Sequence, residues 1–228
     1  MVLAKMFPLV AVVGALLSAC TTTDSSPRAS LAPLTAPIAA MNTGIDVQAP
    51  HGFAAMCLRA PDLCDLAGGV TPVAYAPLQD PQMALLDTVN RSVNAKVRQQ
   101  SDWTTHNTAE VWSRPVVNGG LLSGDCEDLA IEKRLQLIQA GVDPRSLFYA
   151  VVYRRDIGLH VLLIVSTSQG DLALDSRSPW IQPWNKVPYT WVKRQLPENP
   201  SQWAIVITPT SHNSPLHLAS ASNTFPAP

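Results

Sequence analysis

Apolar residues follow two different periods along this chain. Leu85, Val89, Val93 and Val97 recur every four residues, joined by Leu86, and predict an amphipathic helix from Pro81 to about Gln99. Asp80 before Pro81 suits its start, as N-cap and first helical residue. A shorter helical piece is expected over Thr108 to Trp112, stopped by Pro115. After the loop Asn118-Gly119-Gly120, Ser123 or Asp125 can cap a helix running to about Ala140. Ile131, Leu135 and Ile138 would form its buried stripe, and Gly141 fits the C-terminal stop. Beyond it the pattern changes to β-branched and aliphatic runs, Leu147 to Tyr153, Leu159 to Thr167 and Leu172 to Leu174. Ser168-Gln169-Gly170-Asp171 supplies turn chemistry between the last two, and a final strand is expected over Trp203 to Ile207. Helices first and an antiparallel sheet after predict an α+β fold with N-terminal helices packed on the sheet.

The two ends read differently. Lys5 and the apolar run Met6 to Leu17, broken by Pro8 and Gly14, have the form of an export signal over residues 1–19, too short to span a bilayer. Leu17-Ser18-Ala19-Cys20 resembles the bacterial lipoprotein box, in which the cysteine is lipidated; a secretory signal with a chance cysteine is the alternative. By that analogy, Thr21 after Cys20 directs the protein to the outer membrane, so the expected location is the periplasm, with a lipid anchor as the sole membrane contact. Residues 20–50, rich in Thr, Ser, Ala and Pro, read as a flexible tether, and 208–228 as a disordered tail. Residues 51–207 are left as one domain with a proper core. A net charge of −1 offers no electrostatic case for nucleic acid.

Cysteine usage then narrows the chemistry. In an exported protein, Cys57 and Cys64 are expected to pair as a disulfide across a short loop, two free buried thiols being the alternative. Cys126 remains alone, within Ser123-Gly124-Asp125-Cys126-Glu127-Asp128 at a predicted helix start. A helix N-terminus favours the thiolate over the free thiol of pKa about 8.5. Pairing the last two runs as a hairpin sets His160 opposite a residue at or near Asp175. Cys126, His160 and Asp175 would then serve as nucleophile, base and orienting acid, with the Cys126 N–H as an oxyanion donor. Asp125, Glu127 and Asp128 oppose thiol ionisation. They either complement the helix dipole or hold a hard cation, with Ca²⁺ suited to such oxygen ligands.

Other residues carry weaker readings. Trp112 either points its indole N–H at the oxyanion or packs in the core, and Trp180, Trp184 and Trp191 either line a peptide cleft or cover the sheet. His51, His106, His212 and His217 have no catalytic partner in the sequence, and the last two lack the close Cys-x-x-Cys pair that would complete a zinc motif.

Gly124-Asp125-Cys126-Glu127-Asp128-Leu129-Ala130-Ile131-Glu132-Lys133-Arg134, with Leu159-His160-Val161-Leu162 and Leu174-Asp175, resembles the bacterial transglutaminase-like cysteine proteinases. Phe53, Cys57 to Cys64, Asn90 with Asn94, and Val111-Trp112-Ser113-Arg114-Pro115 extend the likeness over about Gly52 to Trp203. The resemblance implies a papain/transglutaminase-like fold and a Cys126–His160–Asp175 triad. Its LapG-type periplasmic members imply Ca²⁺ on Asp125, Glu127 and Asp128, a surface adhesin as substrate, and control by a membrane receptor for cyclic di-GMP. Val161 and Ser176 depart from that pattern, which commonly has alanine and asparagine there.

The sequence thus predicts an exported thiol peptidase that acts on a periplasmic or cell-surface protein. Two other readings stay open: transglutaminase or amidase-type acyl transfer by the same triad, and a non-catalytic lipoprotein that binds peptide in its cleft.

Overall fold

Two sheets and five α-helices organise the described residues, 40–64 and 83–208, of the computed structural model. The signal, Cys20, the Asp80–Pro81 helix start, His212, His217 and nearly all of the expected tail lie outside the described residues. In chain order the elements are β1 (Asn42–Val47), α1 (His51–Arg59), α2 (Pro61–Cys64), α3 (Met83–Lys96), β2 (Arg98–Gln99), α4 (Asp102–Thr105), β3 (Val116–Asn118), β4 (Leu121–Gly124) and α5 (Cys126–Gln139). Then follow β5 (Leu147–Arg154), β6 (Gly158–Thr167), β7 (Gly170–Leu174), β8 (Gln182–Pro183), β9 (Thr190–Leu196) and β10 (Asn199–Ile207). This is the α+β arrangement that the two periods predicted.

The large sheet is antiparallel throughout, in the order β1-β10-β9-β5-β6-β7-β8. Residues Leu147 to Val152 of β5 and His160 to Val165 of β6 are all buried, which is why these strands read as continuous apolar runs. The β6–β7 register pairs Leu163 with Leu174 and Ser166 with Asp171. Extending it sets Asp175 across from Leu162, on the same face as His160 and two residues away. A smaller sheet, β2-β4-β3, pairs β2 with β4 in parallel and β3 with β4 antiparallel. Its middle strand runs directly into Asp125 and Cys126.

Several expectations need correction. The tether expected through residue 50 contains β1, paired with β10. Most of its side chains are exposed, so this edge strand has no apolar alternation, and backbone hydrogen bonds hold it. The Met41 N–H also donates to Asp171 Oδ2 at 2.6 Å, which anchors the chain just before the strand. No helix forms over Thr108 to Trp112; the short helix is α4 at Asp102–Thr105. Asp102 accepts the Val111 N–H and Asp128 accepts that of Ser113 at 2.9 Å, so side chains bind the amides a helix would have used. Helix α3 stops at Lys96, short of Gln99, because Arg98 and Gln99 pair as β2. On α5, Ile131 is buried but Leu135 and Ile138 only partly so, and the helix buries Glu127, Asp128, Glu132, Lys133 and Arg134 beside Leu129 and Leu137. Strands β8 and β9 and the small sheet had no signal strong enough to predict them.

Cys57 and Cys64 form a disulfide between α1 and α2, as their spacing predicted. Phe53 of α1 meets Trp112, Trp203 and Tyr149 edge-on, at centroid distances of 5.4, 5.3 and 6.2 Å. This aromatic cluster ties α1 and the 108–115 loop to β5 and β10. Gly52 is required there, since a Cβ would sit 2.5 Å from Trp112 Cδ1. Trp184 and Trp191 are buried against each other at 5.4 Å, and Arg91 stacks on the exposed Trp180. None of the three lines the cleft described below. Among the described residues no helix is long and apolar enough to cross a membrane.

Phe53 is 1% exposed at the centre of this cluster. Phe53→Ala should therefore lower stability by about 3–5 kcal/mol, read from urea unfolding. A loss below about 1 kcal/mol would show that the cluster does not hold α1.

Candidate active site

The small sheet delivers Cys126 to the first position of α5, with Asp125 as the extended N-cap residue. The Asp125 carboxylate lies beside the first N–H groups of the helix, those of Glu127 and Asp128, which work against burial to lower its carboxyl. Gly124 is needed immediately before, because a Cβ would lie 2.7 Å from both Cβ and Oδ2 of Asp128. Two recesses of about 490 and 430 Å³ flank this point, and both are lined by Asp125, Cys126, Leu159 and His160. The larger also reaches His51, Trp112 and Lys193, and the other Gln100, Ile157 and Arg177. Together they form a cleft that passes over the thiol.

His160 is 4% exposed and bonds Asp175 Oδ1 through Nε2 at 2.8 Å. That leaves Nδ1 as the ring nitrogen for proton exchange. Asp175 is fixed on every side: the Arg177 N–H donates to Oδ1 at 2.8 Å and the Tyr189 hydroxyl to Oδ2 at 2.7 Å. Burial works to raise its carboxyl, but the bond and charge of His160, with these other donors, bring it below its ordinary value. Helix α3 secures the same turn: the Asn94 side chain donates to the Asp175 carbonyl at 2.9 Å, and Asn90 and Asn94 both donate to that of Ser178. Gln99 donates to the Ser176 carbonyl at 2.8 Å. The expected neighbourhood of His160 and Asp175 is therefore a direct hydrogen bond.

The thiol has a different partner. Cys126 donates to Glu127 Oε2 at 2.9 Å and accepts the Val161 N–H at 3.4 Å. Burial, then the charge of Glu127 and this hydrogen bond, push the thiol well above its ordinary value. The indole N–H of Trp112 goes to Glu110 Oε1 at 3.2 Å, so packing rather than oxyanion binding describes this residue here.

The structure divides the three expected metal acids. Asp125 and Glu127 gather with Asp102, ligand oxygens within 4.8 Å of one another, whereas Asp128 gathers with Asp102 and His106. Asp102 is 1% exposed and common to both groups. No spacing rule connects it to the cysteine motif, since β2 and α4 bring it there. Asp102 Oδ1, Asp125 Oδ1 and Asp128 Oδ2 are buried with no hydrogen-bond partner among the described residues. Burial is the chief reason the carboxyls of Asp125 and Glu127 are raised, and together with the charge of Asp125 it lifts Asp128 to about 8. Crowded, desolvated carboxylates with unpaired oxygens fit a hard cation.

Residues 43–211 match the sequence profile of a family described as bacterial transglutaminase-like cysteine proteinase. No curated protein matches the chain. Among solved structures, Legionella pneumophila LapG is similar at 26% identity, covering 51% of this chain and 65% of that one, with a TM-score of 0.43. Its EGTA-treated form gives 28% identity over 51% and 64%, with a TM-score of 0.42. Its calcium-bound form gives 23% identity over 68% and 81%, with a TM-score of 0.46. In the first two of these, the match spans less than two thirds of the LapG chain.

The raised carboxyls fix a sign for stability. They hold protons more tightly folded than unfolded, so the contribution is lost as pH rises through their folded values. With chelator present, the urea midpoint should fall from about pH 5 to about pH 8, the folded value of Asp128. A midpoint that is flat or rises over this window would contradict the description of these acids.

Proposed function

The chain belongs to the bacterial transglutaminase-like cysteine proteinases, and we propose that it is an exported thiol peptidase that cleaves a periplasmic or cell-surface protein through Cys126, His160 and Asp175. The observation that carries this reading is the buried His160–Asp175 bond in a cleft whose wall also holds the only free cysteine among the described residues. His160 takes the thiol proton through Nδ1, and Asp175 keeps the ring in the tautomer that allows it. The thiolate attacks the scissile carbonyl, forming a C–S bond, while the Cys126 N–H at the helix start stabilises the oxyanion. The peptide C–N bond then breaks, and His160 returns the proton to the leaving amine. Water hydrolyses the thioester by the same proton route in reverse.

Asp102, Asp125 and Glu127 would hold the calcium ion, with Asp128 beside them. Bound there, it would neutralise these carboxylates and engage Glu127, the present acceptor of the thiol hydrogen. Cys20, as a lipidated first residue, would keep the enzyme at the outer membrane facing its substrate, for which a surface adhesin is the class the resemblance implies.

The test compares protein N-termini in a cell-envelope fraction treated with wild type, Cys126→Ala or His160→Ala, each with calcium or with chelator. New termini are expected with wild type and calcium alone. Their survival in either variant would overturn the assignment, and their survival in chelator would overturn the metal's part. Products joined to an added primary amine, in place of new termini, would point instead to acyl transfer.

A further inference from the structure

A third recess, of about 410 Å³, lies between α3 and the turn after β7. Arg177 lines both this space and the 430 Å³ recess beside Cys126 and His160. The cations around the cleft and this recess differ in what they already hold. Lys193 donates to the Gln48 carbonyl at 2.9 Å, in a recess that also contains Glu110. Arg91 binds Asp87 through Nε at 2.9 Å and stacks on Trp180. Arg177 is exposed, and among the described residues its guanidinium has no ion pair or hydrogen bond. Asp125 is the one acid lining the recess that Arg177 shares with Cys126, and the two are not paired. The whole chain has a net charge of −1, so this cation is a local feature of the cleft. Its backbone is held on both sides. The Arg177 N–H donates to Asp175 Oδ1 at 2.8 Å, Gln99 donates to the Ser176 carbonyl at 2.8 Å, and Asn90 and Asn94 donate to that of Ser178. A charged side chain rising from a clamped turn needs little further backbone ordering to meet a ligand.

We propose that Arg177 is a specificity-determining residue that binds the carboxylate of an aspartate or glutamate in the substrate, on the side of the scissile bond that enters its recess. A guanidinium pairs a carboxylate through two parallel N–H···O bonds, so one well-placed acid suffices. An extended chain laid over the thiol advances about 3.3 Å per residue, which carries side chains from Cys126 into the recess that Arg177 lines. The other half of the cleft sets Glu110 against Lys193, so the preference for acid is one-sided. The inference rests on the peptidase reading of Cys126, His160 and Asp175, and its test keeps the two apart.

The experiment profiles cleavage. A mixture of proteome-derived peptides is treated, with calcium, with wild type, Arg177→Glu or Arg177→Lys, and the cut sites are read by mass spectrometry. Aspartate and glutamate should be enriched about three- to fivefold at one position on one side of the wild-type cut site, as for an exposed charge pair. Arg177→Glu should lose that enrichment and favour lysine or arginine at the same position. Arg177→Lys should keep the acidic preference in weaker form. A wild-type profile without acidic enrichment, or one that Arg177→Glu leaves unchanged, overturns the proposal. Iodoacetamide alkylation of Cys126 should be equal in all three proteins, which shows that the substitutions leave the thiol and its partners intact. If wild type cuts no peptide, the peptidase reading fails, and binding decides the subsite instead. Acidic peptides should then be retained by immobilised Cys126→Ala and lost from the double variant that adds Arg177→Glu; equal retention overturns the proposal.

Discussion

Helix α5 must bury charge. It packs against β6 and α3 while carrying Glu127, Asp128, Glu132, Lys133 and Arg134 on covered positions. A desolvated charge needs a partner, and much of the surrounding structure serves as one. Arg114 reaches in to Glu132, and Tyr149 and Gln195 receive Arg134. The backbone of the 108–113 loop lends N–H groups to Asp102 and Asp128. What remains after these pairings is a knot of carboxylates at the helix start and one ammonium near its middle. The first lies beside the thiol, which donates to Glu127, and the second bonds the carbonyl of Leu174, the residue before Asp175.

The rest of the scaffold fixes the two sides of the cleft relative to that helix. On one side the aromatic cluster and the Cys57–Cys64 bridge hold α1, so that Pro50 and His51 stay at the cleft wall. On the other, the turn after β7 is clamped by asparagines and a glutamine from the α3–β2 segment. Such clamping places the carboxylate by backbone as well as side-chain contacts, which a catalytic geometry demands. Cys126, the only free thiol among the described residues, sits where these constraints meet.

Legibility in the sequence followed the range of the interactions. The helix start at Cys126, the β6–β7 hairpin and the short disulfide are local, and their spacing predicted them closely. Asp102 lies outside the cysteine motif and reaches it only through the parallel β2–β4 pairing, which has no sequence signature. Strand β1 was hidden because its side chains face solvent and its stability comes from its partner β10. The absence of a helix at 108–112 was equally unreadable, since distant carboxylates claim the amides of Val111 and of Ser113 just after it. Burial of Lys133 runs against every composition rule, and packing alone reveals it.

The central claim is that Cys126 is an activated nucleophile whose proton goes to His160. The most direct measurement is the rate of iodoacetamide alkylation of Cys126, followed by mass spectrometry of the domain with calcium present. Labelling well above that of a free cysteine, and reduced to the free-cysteine rate in His160→Ala, is the result this account predicts. Labelling no faster than free cysteine, and indifferent to His160, would contradict it.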